Sequence, residues 1–161
     1  MQLIEQYKNY RETTKILINK KVIKNLSQNA FTNAARILGL VQGEKTLVFE
    51  SENEMSYLMD FTINEYKEEG KTAIEQYKSA IGWENEAEKE ILEAACSSYT
   101  SLFKIESISK ENHTLTINDI LYFKGKIELI DIGFSQSAKP GFLIFTRILP
   151  FKNFNMTSGI S

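Results

Sequence analysis

The sequence predicts an α+β protein: a helical region over residues 1–100, followed by a small antiparallel, SH3-like or OB-like partial β-barrel over residues 101–161. Three observations predict it. Up to about residue 100 the apolar side chains recur at spacings of three and four, which is the period of an amphipathic helix. From Ser101 onward the period changes to two, with β-branched and aromatic runs. Turn-forming residues punctuate those runs at short intervals, and no repeat, low-complexity tract or linker separates the two regions. They are therefore expected to pack as one unit.

The first helix is expected over residues 2–18, with Leu3, Tyr7, Tyr10, Thr14 and Leu17 in one stripe and Lys8, Arg11, Glu12 and Lys15 elsewhere on its surface. The pattern blurs over residues 19–24. Ser27 is placed to cap a second helix carrying Ala30, Phe31, Ala34, Ala35 and Leu38, and Gly39 and Gly43 supply its end and a loop. Residues 46–49 form a short strand or an extended connector. Ser51 and Glu54 have capping-box spacing, so a third helix starts there and is expected to run to about Glu69, where Gly70 stops it. A shorter helix over 72–80 buries Ile74 and Tyr77. After the Gly82-Trp83 corner a last helix over 84–99 has Ala87, Ile91, Leu92, Ala95 and Tyr99 inside. Its early turns are crowded with glutamates, which suits the positive end of a helix macrodipole.

In the last third, Leu102, Phe103, Ile105 and Ile108 mark a strand, and residues 109–112 a turn. Residues 113–118 return, with Leu115 and Ile117 inside, and the strand continues through 119–123 to a turn at Lys124-Gly125. Residues 126–133 are the clearest strand, and 134–140 are expected to be a loop. Pro140-Gly141 suits the centre of a type II turn, because Pro fixes φ and Gly accepts a positive one. A central strand over 142–149 ends at Pro150, and residues 154–156 can add a short edge strand.

The 161 residues are 42% hydrophobic and 25% charged, ordinary values for a globular domain. No run approaches the roughly 18 apolar residues that a membrane-spanning helix needs. Cys96 is the only cysteine, and the opening Met1-Gln2-Leu3-Ile4-Glu5 lacks the basic and apolar regions of a secretory signal. A cytoplasmic protein without membrane partners is expected. The net charge of −2 is unevenly spread: residues 1–26 carry +4, residues 44–93 carry −9 and residues 101–152 carry +2. The acidic segment disfavours general affinity for nucleic acid.

The chemical motifs are weak. Gly70-Lys71-Thr72 resembles the end of a phosphate-binding loop, but Glu65 stands where its first glycine belongs. With one histidine, His113, and one cysteine, no zinc constellation is expected, and no cofactor is implied. Cys96 is expected in the core. Glu90 with Glu93, and Glu65 with Glu69, sit one helical turn apart and could act as paired carboxylates, although such pairs mostly form solvated helix surface. The remaining candidate ligand site comprises Ser135, Ser137 and Lys139 with Arg147. Small hydroxyls and cations beside a barrel mouth can hold an anion, and Arg147, set among apolar residues, needs a partner such as Asp119 or Asp131.

The last third resembles the small β modules that close certain uncharacterised bacterial proteins. The residues that carry this are Ser101-Leu102-Phe103-Lys104-Ile105, Asp119-Ile120-Leu121, Pro140-Gly141-Phe142-Leu143 and Arg147-Ile148-Leu149-Pro150. The resemblance implies no activity. The leading expectation is a non-enzymatic protein-interaction or scaffolding role, with a protein partner or a second copy of the chain as a homodimer. The first alternative is a nucleic-acid-binding module that uses Tyr122, Phe123, Phe151 and Phe154 with Lys104, Lys124, Lys126 and Arg147. The second is a carboxylate-dependent hydrolase with its site between the two regions.

Overall fold

A computed structural model describes residues 2–44 and 46–159. Its elements are α1 (Gln2–Ile16), a π-helical stretch (Leu17–Val22), α2 (Ala30–Ile37), β1 (Val41–Gln42), β2 (Thr46–Leu47), α3 (Glu52–Asn64), β3 (Lys67–Glu68), β4 (Lys71–Thr72), α4 (Ala73–Ala80), α5 (Glu86–Cys96), β5 (Tyr99–Ser109), β6 (Thr114–Asp119), β7 (Gly125–Ile130), α6 (Ile132–Ser137), β8 (Leu143–Pro150) and β9 (Asn155–Thr157). The α+β class stands, with helices first and a curled, five-stranded antiparallel half-barrel in the C-terminal part. The chain divides into two compact units: Met1–Arg11 with Glu93–Ser161, and Glu12–Leu92.

The half-barrel has strand order β7-β6-β5-β8-β9. Strand β5, eleven residues long, pairs with β6 on one side and β8 on the other. Its alternating side chains fill the concave face, where Phe103 and Ile105 meet Leu115, Ile117, Leu129 and Ile148. A register shift between Ile105 and Ser107 marks a bulge, the device by which a sheet is bent. The two edges approach each other, and the Asn155 Nδ2 donates to the Glu128 carbonyl (3.0 Å) from β9 to β7.

The start of α1 belongs to this unit because its aromatic stripe finds aromatic partners there. Tyr10 meets the Phe151 ring edge-on at 5.1 Å, Tyr7 meets Phe154 at 6.4 Å, and Phe151 stacks on Phe154 at 4.9 Å. Such pairs add about 0.5–1.5 kcal/mol beyond the area they bury.

In the other unit, α2 and α3 pack around Ala34, Ala35 and Leu58, with Phe31, Leu40 and Phe61 at the margin. Lys21 reaches Glu88 (2.6 Å) and Glu84 (2.9 Å). The Glu88 hydrogen bond and then that of Glu84 hold the Lys21 pKa far above the ordinary lysine value. For Glu88, burial pushes the carboxyl up, but the Lys21 bond and the Glu84 amide outweigh it and leave it lowered.

Several local expectations are corrected. The third helix stops at Asn64 rather than Glu69; Lys67–Glu68 and Lys71–Thr72 form a hairpin instead, turning through Glu69 (φ 52°) and Gly70 (φ 80°). A two-residue turn with both positions left-handed matches strand twist, so Glu-Gly there makes a hairpin rather than a helix stop. Ser51 makes no side-chain cap, and Glu54 accepts instead from the Glu50 amide (2.5 Å). The working capping box is Thr72 with Glu75, at the start of α4. Residues 132–137 are a short helix, not a loop, because the Asp131 side chain caps it through the Phe134 amide (2.9 Å). Cys96 is exposed at the end of α5 rather than in the core, since the helix's inner stripe is finished by Ala94 and Ala95.

Replacing Phe103 by Ala, at the centre of β5 and wholly buried, is expected to lower unfolding stability by about 3–5 kcal/mol, read from the urea midpoint at unchanged slope. Thr72→Ala is expected to remove about 1 kcal/mol by the same measurement.

Candidate functional site

The most unusual surface of the half-barrel is the connection between β6 and β7, and a buried carboxylate builds it. Asp119 closes β6 on the concave side, opposite Phe103 in β5, and only 1% of it is exposed. A charge so placed must be met by donors. The Ser101 hydroxyl donates to its Oδ1 at 2.6 Å, the Tyr122 amide at 2.9 Å and the Leu121 amide at 3.1 Å. Burial alone pushes the Asp119 carboxyl up; the Ser101 hydroxyl and the amides of Tyr122, Leu121 and Lys124 together outweigh it and hold the group below the usual carboxylate range.

Those donated amides fix the chain that follows. Ile120 still donates to the Leu102 carbonyl (3.0 Å), and then the backbone wraps around the carboxylate and turns outward. Leu121, Tyr122 and Phe123 are left on the surface, Phe123 with 83% of its area exposed and a left-handed φ of 56°. An L-residue in that conformation is uncommon for an aromatic side chain, and it persists where neighbouring bonds over-determine it. The Lys124 ammonium lies 3.6 Å from the Tyr99 ring centroid and 6.0 Å from that of Tyr122. Burial, and then the Asp119 charge, push the Tyr99 phenol up.

The convex face of the sheet adjoins this tip. Register sets Lys104 opposite Leu143 and Asn118, and Leu102 opposite Phe145, so strand alternation places all five on one face. Leu143 is 57% exposed and Phe145 44%, and Phe142, just before the strand, is also exposed. Lys104, Lys124 and Lys139 are exposed around them.

A second feature is a pocket of about 400 Å3 lined by Tyr7, Arg11, Asp131, Phe134, Ser137 and Thr157, among others. Arg11 organises it. Its Nη2 donates to Asp131 Oδ2 (3.0 Å), to the Tyr7 hydroxyl (3.1 Å) and to Thr157 Oγ1 (3.2 Å), and its Nη1 to the Thr157 carbonyl (2.6 Å). Thr157 Oγ1 in turn donates to Asp131 Oδ2 (3.2 Å). The one carboxylate thus caps α6 with one oxygen and balances the guanidinium with the other. Both charges of the pocket are engaged in joining α1, α6 and β9.

The sequence-predicted site residues have different settings. Ser135 is buried, donates to the Ile132 carbonyl (2.9 Å) and stands 3.5 Å from His113 Nδ1. Ser137 lines the pocket and donates to the Gly133 carbonyl (3.0 Å). Lys139 is exposed in the turn before β8. Arg147 is 2% exposed, and its Nη1 donates to Ser98 Oγ (3.1 Å). The ion pair expected of Asp131 is made with Arg11, a residue that the helical pattern had assigned to open surface. The Tyr7–Arg11 spacing of one helical turn was the available signal for it. Glu65 and Glu69 do not share a helix, since α3 ends before both. Among the described residues, no group of three or more His, Cys, Asp or Glu side chains is arranged to hold a metal ion.

The whole chain, residues 1–161, matches a family described as "Family of unknown function (DUF7986)". The protein belongs to that family. No curated protein and no solved structure matches it. No helix among the described residues is long and apolar enough to cross a membrane.

Because the folded-state pKa of Asp119 is lowered, its stabilisation is complete above the unfolded carboxyl value, near 3.9, and is lost as pH falls through the folded value. Asp119→Asn is therefore expected to lose about 1.5–3 kcal/mol at neutral pH and to show a shallower loss on acidification, measured by urea unfolding at pH 7 and pH 3. Arg11→Met is expected to cost about 1–3 kcal/mol, because it leaves the Asp131 carboxylate without its cation; adding Asp131→Asn should restore part of this.

Proposed function

We propose that the protein is a non-enzymatic interaction module whose half-barrel engages a protein partner through the Leu121–Tyr122–Phe123 tip and the adjoining convex face. The observation that carries this reading is the coupling of a buried carboxylate, held through its Oδ1 by the Ser101 hydroxyl and two turn amides, to an exposed aromatic triplet. Folding fixes the backbone of the tip in advance, so docking it loses little further conformational entropy. Exposed aromatics of this kind are the side chains that dominate binding energies once a partner excludes water from them. Isolated exposed apolar residues need no explanation, but Leu121, Tyr122, Phe123, Phe142, Leu143 and Phe145 fall on one turn and one strand start of a single small sheet.

Nucleic acid is the weaker reading because two of the four cations it needs are engaged. Arg147 is buried against Ser98, and Lys126 is paired with Glu106 at 2.5 Å. A phosphate backbone would meet fewer positive groups than the sequence suggested.

Photo-crosslinking from position 123 tests the proposal. A photoreactive phenylalanine in place of Phe123 is expected to capture a defined protein in the source cell, whereas the same group at the exposed Glu111 should not. Tyr122→Ser together with Leu143→Ser, added to the Phe123 probe, is expected to reduce that capture at least about tenfold. Capture of an oligonucleotide, lost steeply as salt rises, would overturn it in favour of nucleic acid.

A further inference from the structure

From the hydrogen bonds left unmade around Arg11, we infer that the pocket between α1, α6 and β9 is a binding site for a small monocarboxylate with an apolar body. The pocket shares no residue with the aromatic tip. It encloses about 400 Å3, within the range that small-molecule sites occupy. Its lining residues all belong to one compact unit: Tyr7 and Arg11 come from α1, Phe134 and Ser137 from α6, and Thr157 from β9. Gly133 and Gly159 complete the wall without placing a side chain in it.

Most polar groups of the wall already bond one another. Asp131 Oδ1 accepts from the Phe134 amide (2.9 Å), and its Oδ2 accepts from Arg11 (3.0 Å) and Thr157 (3.2 Å). The Thr157 hydroxyl hydrogen is used on Asp131, and that of Ser137 on the Gly133 carbonyl (3.0 Å). Two donors remain. Arg11 Nη1 makes a single bond, to the Thr157 carbonyl (2.6 Å), and keeps a second N–H without an acceptor among the described residues. The Tyr7 hydroxyl accepts from Arg11 Nε (3.3 Å) and Nη2 (3.1 Å), so its own hydrogen is left over as well.

Spare donors, one of them cationic, call for an oxygen acceptor. A bond from a guanidinium N–H to a carboxylate is about twice as strong as one between neutral groups. Asp131 already balances the Arg11 charge at 3.0 Å, so a dianion such as phosphate would bring more negative charge than the one cation can meet; a single carboxylate fits. The half-buried Phe134 and the bare backbone at Gly133 and Gly159 leave room for an apolar body beside it. Of the residues from which the sequence predicted an anion site, Ser137 lines this pocket, and the cation that serves it is Arg11 rather than Arg147 or Lys139.

Titration of the full chain with sodium benzoate, followed by 1H–15N NMR, tests the inference. Saturable shifts at the Gly133, Ser137 and Gly159 amides and the Arg11 side-chain nitrogens are expected, with a dissociation constant of about 1 mM, as suits so small a ligand. Gly133→Leu should fill the pocket and weaken binding at least about tenfold; a Cβ there meets only Asp131 Oδ1, at 3.6 Å, so the urea midpoint should hold. Tyr7→Phe keeps the ring, removes the spare O–H and should weaken binding about threefold or more. Benzamide, which has the same ring without the charge, should bind more weakly than benzoate. Absence of saturable shifts at these positions overturns the inference. The same shifts from sodium chloride at equal ionic strength, equal binding of benzamide, or displacement of benzoate by stoichiometric inorganic phosphate also overturn it. So does benzoate affinity that both variants leave unaltered.

Discussion

A carboxylate sealed from water has to be met by donors, and around Asp119 that requirement shapes the β6–β7 end of the half-barrel. Ser101 in β5 and the amides of residues 121, 122 and 124 converge on it. Because those amides belong to the turn, satisfying the charge and shaping the turn are one event. The outward display of Leu121, Tyr122 and Phe123 follows from it, and the left-handed Phe123 backbone costs of order 1–3 kcal/mol that the surrounding bonds offset. A polar core residue thereby sets the geometry of an apolar surface.

Arg11 and Asp131 do the comparable work for the chain termini. The guanidinium is bonded to residues 7, 131 and 157, and the carboxylate also caps α6. Helix α1 is held to the half-barrel by this node and by the Tyr7, Tyr10, Phe151 and Phe154 rings. Polar and aromatic contacts act at the same place: the ion pair fixes direction, and the rings supply the buried area. This is why Met1–Arg11 groups with Glu93–Ser161 in one compact unit.

How legible each part was depended on the range of the physics behind it. The strands of the half-barrel announce themselves through period-two alternation, a local property, and β5, β7 and β8 are found near where that pattern places them. Helix α6 was hidden because a six-residue helix shows too little periodicity, although Asp131 three residues before Phe134 carried the capping signal. Glu69-Gly70 was misread because glycine ends helices and turns hairpins with equal ease; only the pairing of residues 67 and 68 with 72 and 71 distinguishes the two. The candidate site was less legible still. Arg147 and Ser135, expected beside a ligand from their residue type, are buried, while Tyr122 and Phe123 stand exposed.

By itself, the sequence determined the α+β class, the helices-first order and the curled antiparallel sheet, because periodicity and turn chemistry act over a few neighbours along the chain. The tertiary structure alone decided which charges are paired and buried and which stay exposed. Arg11 finds Asp131 across 120 positions and Thr157 across 146, and Ser101 finds Asp119 across 18. Burial and pairing over such separations depend on where strands and helices converge in space, and no local pattern encodes that convergence.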